Sequence, residues 1–229
     1  MRRWRRPRAV NTAGDVAREE LARLHLLDYS VVQEQQRQML EEMRGGQRTA
    51  FAAGVAERLL GAHEALPVER QKPYTLGWRP LLEAIWRSLA GDDQAFYEIS
   101  AALAHFYLSP QHHNEGQDGP DDADDDAVAA TYYAAECFLH GCTDFAIWAA
   151  RRGTDAAFYL AEEDEGWRAR RPSDVSEFGW GLAHPTHQAE LARQLEDLHL
   201  LADRGEVLRD PLASAQPARA DLLRSLRRP

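Results

Sequence analysis

An all-α fold, a single compact bundle of about six to eight helices, is the architecture this sequence predicts, and three observations predict it. The chain favours Ala, Leu, Arg, Glu and Gln, which lose little in a helix, over the Val, Ile and Thr runs that mark strands. Apolar residues recur at helical spacing along most of its length. With 229 residues, 44% of them hydrophobic, the chain can bury one substantial core, and this length favours one domain over two.

The elements follow in order. Tyr29, Val32, Gln36, Met39 and Met43 form a first stripe, stopped by Gly45-Gly46. Phe51, Val55 and Leu59, with Ala52, Ala56 and Leu60 beside them, predict a helix over 47–64, and Pro67 and Pro73 then bracket a loop. Pro80 suits the first turn of a helix because its missing N–H costs nothing there, and Leu82, Ile85, Trp86 and Leu89 follow on one face. Asp92 or Asp93 can cap a helix that turns Phe96, Ile99, Leu103 and Phe106 inward. Residues 109–126 hold seven acids and no hydrophobic residue except Ala123, a composition that predicts a mobile acidic loop. Val128, Tyr132, Ala135 and Leu139 resume the pattern. Thr143 can cap the next helix, with Phe145, Trp148, Ala149, Ala156 and Tyr159 inward, and residues 164–181 read as irregular. A long helix from Pro185 carries Leu191, Leu195, Leu198 and Leu201 and stops before Gly205. The organisation is therefore a disordered basic leader over 1–14, a helical domain over 15–205, and a flexible tail over 206–229 with at most a short helix near 220–226.

Charge and cysteine usage narrow the setting. The net charge is −10, although Arg2, Arg3, Arg5, Arg6 and Arg8 crowd into the leader, so the body is more acidic than the total. Such a body repels phosphate backbones and speaks against nucleic acid as its partner. No apolar region follows the leader arginines, as a secretory signal requires, and no stretch approaches the length of a membrane span. Cys137 and Cys142 are too few for a disulfide scaffold and fit reduced thiols in the cytoplasm.

Two segments carry a family resemblance: Arg48-Thr49-Ala50-Phe51 leading to Ala56-Glu57-Arg58-Leu59-Leu60, and Leu81-Leu82-Glu83-Ala84-Ile85-Trp86-Arg87-Ser88-Leu89. Together they resemble the bacterial YjaG-like family, domain of unknown function 416, with its aromatic residue, its Cys/Ala-Glu-Arg step and its leucine-rich helix with a tryptophan near the end. The Gly-x-Thr break at Gly141 and Thr143 and the final long helix fall in similar order, so the likeness spans roughly 40–205. The sequence departs at Gly61-Ala62-His63, where the family often has Pro-x-Tyr, and in its acidic loop and tails. The resemblance implies an all-α fold and a bacterial origin, and it supplies no catalytic residues.

Candidate chemistry is sparse. Glu136, His140 and Asp144 are spaced by four, so an uninterrupted helix would project all three from one side as a metal-ligand row, although Gly141 interrupts that helix. His112, His113 and Glu115 lie on a loop with nothing to support a metal. Asp121-Asp122-Ala123-Asp124-Asp125 matches an Asp-Asp-x-x-Asp magnesium pattern that any run this acidic produces. No Gly-x-Ser-x-Gly elbow or phosphate-cradling glycine loop occurs. Glu57-Arg58 sits beside an apolar stripe. It reads as a structural ion pair, or as one wall of a groove in which Trp86, Tyr132, Tyr133 and Trp148 line an organic ligand site.

The expected function is therefore non-enzymatic, with no cofactor: a protein-interaction module whose acidic surface, Asp121, Asp122, Asp124, Asp125 and Asp126 included, binds a basic protein partner. An immunity protein that neutralises a basic toxin is one form of such a module, since opposite charge speeds association. The rival expectation is a metal-dependent or small-molecule enzyme built on Glu136, His140 and Asp144.

Overall fold

The computed structural model describes residues 26–109, 123–208 and 217–228. Every regular element among them is helical. The basic leader over 1–14 lies outside these residues, as do Asp121, Asp122 and the pair His112 and His113. No helix of the described residues is long and apolar enough to cross a membrane.

Helix α1 (Tyr29–Glu42) starts at Asp28, whose Oδ1 accepts from the amides of Ser30 at 2.8 Å and Val31 at 3.2 Å. It ends before Gly45, and Gly45-Gly46, expected as a stop, instead opens α2 (Gly45–Glu64). The reason lies in Gln47: its Oε1 accepts from the Arg44 amide while its Nε2 donates to Leu201 O, which closes the new N-terminus. A Cβ on Gly205, which follows the long helix ending at Arg204, would meet the Gln47 side chain at 2.4 Å, so a larger residue there would displace Gln47 from its capping position.

Helix α2 is the axis of the molecule. Ala50, Phe51, Ala52, Ala53, Gly54, Val55 and Ala56 are all buried, which is the signature of a helix enclosed on every side. Its small residues let neighbouring backbones approach closely. The segment after it contains a 3-10 turn (Val68–Arg70) and a short helix α3 (Pro73–Leu76), where a plain loop was expected. Helix α4 (Arg79–Leu89) buries Leu81, Leu82, Ile85, Trp86 and Leu89, and Gly91 ends it with φ +102°. Helix α5 (Gln94–Tyr107) buries Ala95, Ile99 and Leu103 but leaves Phe96 nearly half exposed, contrary to the inward face expected of it.

Helix α6 (Ala123–His140) begins inside the stretch expected as acidic loop. Asp124, Asp125 and Asp126 are therefore helical, and Asp126 is fully buried against Arg152, with 3.2 Å between Oδ1 and Nη1. Gly141 (φ +62°) breaks the chain before α7 (Thr143–Glu163), and Arg48 clamps the break by donating to the carbonyls of Gly141, Leu40 and Glu41. Helix α7 turns an alanine-rich face inward, so Trp148 and Tyr159, expected inside, stand at its surface. The stretch expected to be irregular forms α8 (Glu165–Arg168) and α9 (Glu177–Leu182). Helix α10 (Pro185–Arg204) buries Leu191, Leu198 and Leu201, and a second 3-10 turn (Gly205–Leu208) follows. The tail expected to be flexible contains α11 (Pro217–Leu226), which buries Leu222, Leu223 and Leu226 in the core.

Candidate ligand-binding site

The residues that the sequence offered as a site fall in three separate places. Glu57 and Arg58 are neighbours on α2 and leave it on different sides. The Glu57 carboxylate accepts from Arg79 Nη1 and from the Trp86 indole nitrogen, both at 2.7 Å, and lies 3.6 Å from Arg227, the residue that follows the C-terminal helix. The Arg227 guanidinium in turn covers the Trp86 ring, 5.5 Å from its centroid. Arg58, only 12% exposed, forks onto Glu190 and reaches Asp197 at 2.7 Å, and Arg193 holds the other Asp197 oxygen at 3.2 Å. Gln194 extends this network, donating to Glu190 and to Ala150 O and accepting from Gln36. Both clusters are closed: each charge is answered by another.

The row Glu136, His140 and Asp144 is divided. His140 Nε2 lies 3.2 Å from Glu136 Oε2, whereas Asp144, beyond the Gly141 break, pairs with Arg37 at 3.0 Å. No group of three or more metal-ligating side chains occurs among the described residues. The buried Glu136 carboxylate also accepts from the Tyr107 hydroxyl, which stands 3.1 Å from that of Tyr132. Burial, and then the bond to Glu136, raises the Tyr107 hydroxyl above the usual tyrosine range, so it stays a donor. Rings continue outward from this point through Tyr133 to Phe145 and Trp148.

A concave site lies elsewhere, where α7, α8 and α9 meet. A cavity of about 780 Å³ is walled by Phe158, Trp167, Phe178 and Trp180, floored by Ala161 and Gly181, and rimmed by Glu162, Arg168, Arg171 and Glu177. Two caps set its short helices: Asp164 Oδ1 accepts from the Trp167 amide at 2.8 Å, and the Ser176 hydroxyl from the Gly179 amide at 3.0 Å. That bond from the Trp167 amide, followed by the hydrogen bond to His184, holds the Asp164 carboxyl below its ordinary range. Trp167 and Trp180 stack with centroids 4.2 Å apart and planes 9° from parallel. Each indole N–H donates to the other's carbonyl, at 3.0 and 2.9 Å, and His184 packs edge-on against Trp167. A Cβ on Gly181 would stand 2.7 Å from Phe158 Cε2, so glycine is what lets that ring lie against α9.

The rim differs from the core in its charges. Glu162, Arg168 and Glu177 make no side-chain hydrogen bond or ion pair among the described residues, and Arg171 donates only to Val175 O. Nothing in hydrophobic periodicity pointed here, because neither short helix spans enough turns to show a period. The available signals were local: two tryptophans thirteen apart, and Asp164 and Ser176 each standing three residues before the amide it caps. A second cavity of about 410 Å³, among Tyr74, Trp78, Leu81 and Phe106, offers no carboxylate or guanidinium in its lining.

No family model, no curated protein and no solved structure matches the chain.

Proposed function

We propose that this protein is a non-enzymatic interaction module that binds a basic protein partner, immunity-type binding being one such role, and that its working site is the cavity between α7, α8 and α9. The supporting observation is the rim: charged groups with no counter-ion among the described residues surround a ligand-sized, aromatic-walled cavity whose walls are fixed by mutual hydrogen bonds. The exposed run Glu162-Glu163-Asp164-Glu165 beside it, in a chain of net charge −10, would steer a basic partner by long-range attraction. Membership of the YjaG-like family belongs to the same proposal. In its support, the Glu57–Trp86 hydrogen bond joins the two helices that carry the likeness.

The test is capture of a basic protein from the native host, followed by association kinetics as ionic strength rises from roughly 0.05 to 0.3 M, which shortens the Debye length more than twofold. The association rate should fall steeply, and Phe178→Ala should weaken the complex with the same protein. A salt-insensitive complex, or one indifferent to Phe178, would sink this reading. A salt-insensitive complex would point instead to an apolar helix face, and failure to recover any protein would bring back the enzyme reading on Glu136, His140 and Asp144.

A further inference from the structure

We propose that the cavity between α7, α8 and α9 is a socket for an aromatic side chain carried on a partner segment with a basic residue on one side of it and an acidic residue on the other. This inference rests on the cavity being the working site. It adds what enters.

The walls define the anchor. Phe158, Phe178 and the Trp167–Trp180 pair present apolar ring surface, and Phe178 is 55% exposed, an expense in solvation that a bound ring would remove. One face of Trp167 is occupied by Trp180, mutual hydrogen bonds lock the two indoles together, and the Arg170 guanidinium carbon lies 5.6 Å from the Trp167 ring centroid. The pair is thus a rigid wall rather than an open stacking slot, and binding against it loses little side-chain freedom. Aromatic anchors seated in such preformed pockets supply most of the energy of many protein interfaces.

The rim defines the flanks. A purely cationic segment would meet Arg168 and Arg171 as well as the glutamates, and a purely anionic one would meet Glu162 and Glu177. Each is repelled by half of the rim, and this repulsion is itself a specificity device. A segment with one charge of each sign can answer both halves. The cavity is also larger than a single ring requires, leaving room for the residues on either side.

The experiment titrates the full chain with four capped peptides: acetyl-Arg-Phe-Glu-amide, acetyl-Arg-Phe-Arg-amide, acetyl-Glu-Phe-Glu-amide and acetyl-Phe-amide. Binding is read from the indole N–H signals in a proton–nitrogen correlation spectrum. The mixed peptide should shift Trp167 and Trp180 saturably, leave the core indole of Trp86 in place, and bind about fivefold or more tighter than acetyl-Phe-amide, as two rim charge pairs allow. Arg168→Gln, and Glu162→Gln with Glu177→Gln, should each remove part of that advantage; these side chains are exposed and unbonded, so folding is spared. Equal binding of mixed and uncharged peptides would overturn the charge assignment while leaving the cavity as the working site. Tighter binding of either like-charged peptide would also overturn it. If no peptide moves either indole, the socket itself is refuted, even where a salt-sensitive partner is captured.

Discussion

The charged residues around α2 and those around the cavity are of the same types and serve opposite ends. On α2, Arg58 is enclosed by Glu190 and Asp197, and Glu57 by Arg79, Trp86 and Arg227. There the ions answer one another, and geometry fixes which helix lies where. At the cavity, Glu162, Arg168 and Glu177 face an aromatic hollow unanswered by any described residue. The comparison teaches that a Glu-Arg step in the middle of a buried helix marks packing, whereas unanswered charges around a preformed concavity mark recognition. Substitution should separate the two sharply.

The largest effect is expected at Arg58. Arg58→Ala leaves Glu190 and Asp197 facing each other without their cation in a site nearly closed to solvent, which costs about 3–5 kcal/mol. Urea unfolding would measure it, and the same experiment on Arg168→Gln should register less than about 0.5 kcal/mol. Similar losses at both positions would erase the distinction. Next comes Leu226→Ala, which removes a fully buried side chain from α11 and should cost about 2–5 kcal/mol. An unchanged urea midpoint would show that the C-terminal helix is no part of the core.

How much of this was legible beforehand depends on the length over which a pattern can run. The long helices announced themselves because residues such as Ile99 and Leu103, or Leu191 and Leu198, repeat across several turns, and periodicity needs several turns. Helices α8 and α9, four and six residues long, cannot repeat anything, so their stretch read as irregular. Exposed aromatics misled for a different reason. Trp148 and Phe96 sit at spacings that match the buried stripe, yet alanines take the tightly packed positions on α7 and Ala95, Ile99 and Leu103 those on α5, and the large rings remain outside. Asp126 misled by composition: five aspartates in six residues look solvated, and the cation that meets the last one in its buried position, Arg152, stands 26 residues away in the chain. The tail is a milder case: a short helix near 220–226 was legible, but its docking was not, since the burial of Leu222 and Leu226 depends on α2 and α10 being present already.

A smaller effect is expected at Gly181. Gly181→Ala would place a methyl 2.7 Å from Phe158, which must swing away from α9 and distort one cavity wall. The stability cost should be about 1–3 kcal/mol, by analogy with other overpacked sites. The diagnostic readout is the pair of Trp167 and Trp180 indole signals, which should shift while those of Trp86 and Trp78 hold. Uniform shifts across all of them would mean that the cavity is not an independent part of the fold.

The smallest effect concerns protons beneath the same wall. His187 is buried under Phe158 and Tyr29, with ring centroids 6.3 and 6.2 Å away, and its Nδ1 lies 3.1 Å from Leu182 O. Burial lowers its pKa below the ordinary value of 6.5, outweighing the bond to Leu182 and the attraction of Glu190, while His184 adds a small push in the same downward direction. A base whose folded pKa is depressed stabilises the fold fully above the unfolded value and loses that contribution as pH falls toward and through the folded one. Unfolding free energy should therefore decline as pH falls below about 6.5. His187→Asn should flatten that decline. Gln188, which also donates to Leu182 O at 2.9 Å, keeps the carbonyl satisfied in the variant, so the comparison isolates the proton from the hydrogen bond. Because Phe158 is both the lid over His187 and a wall of the cavity, peptide binding should weaken over the same pH range and recover in His187→Asn. Weakening that persists in the variant would show that His187 is not the group responsible.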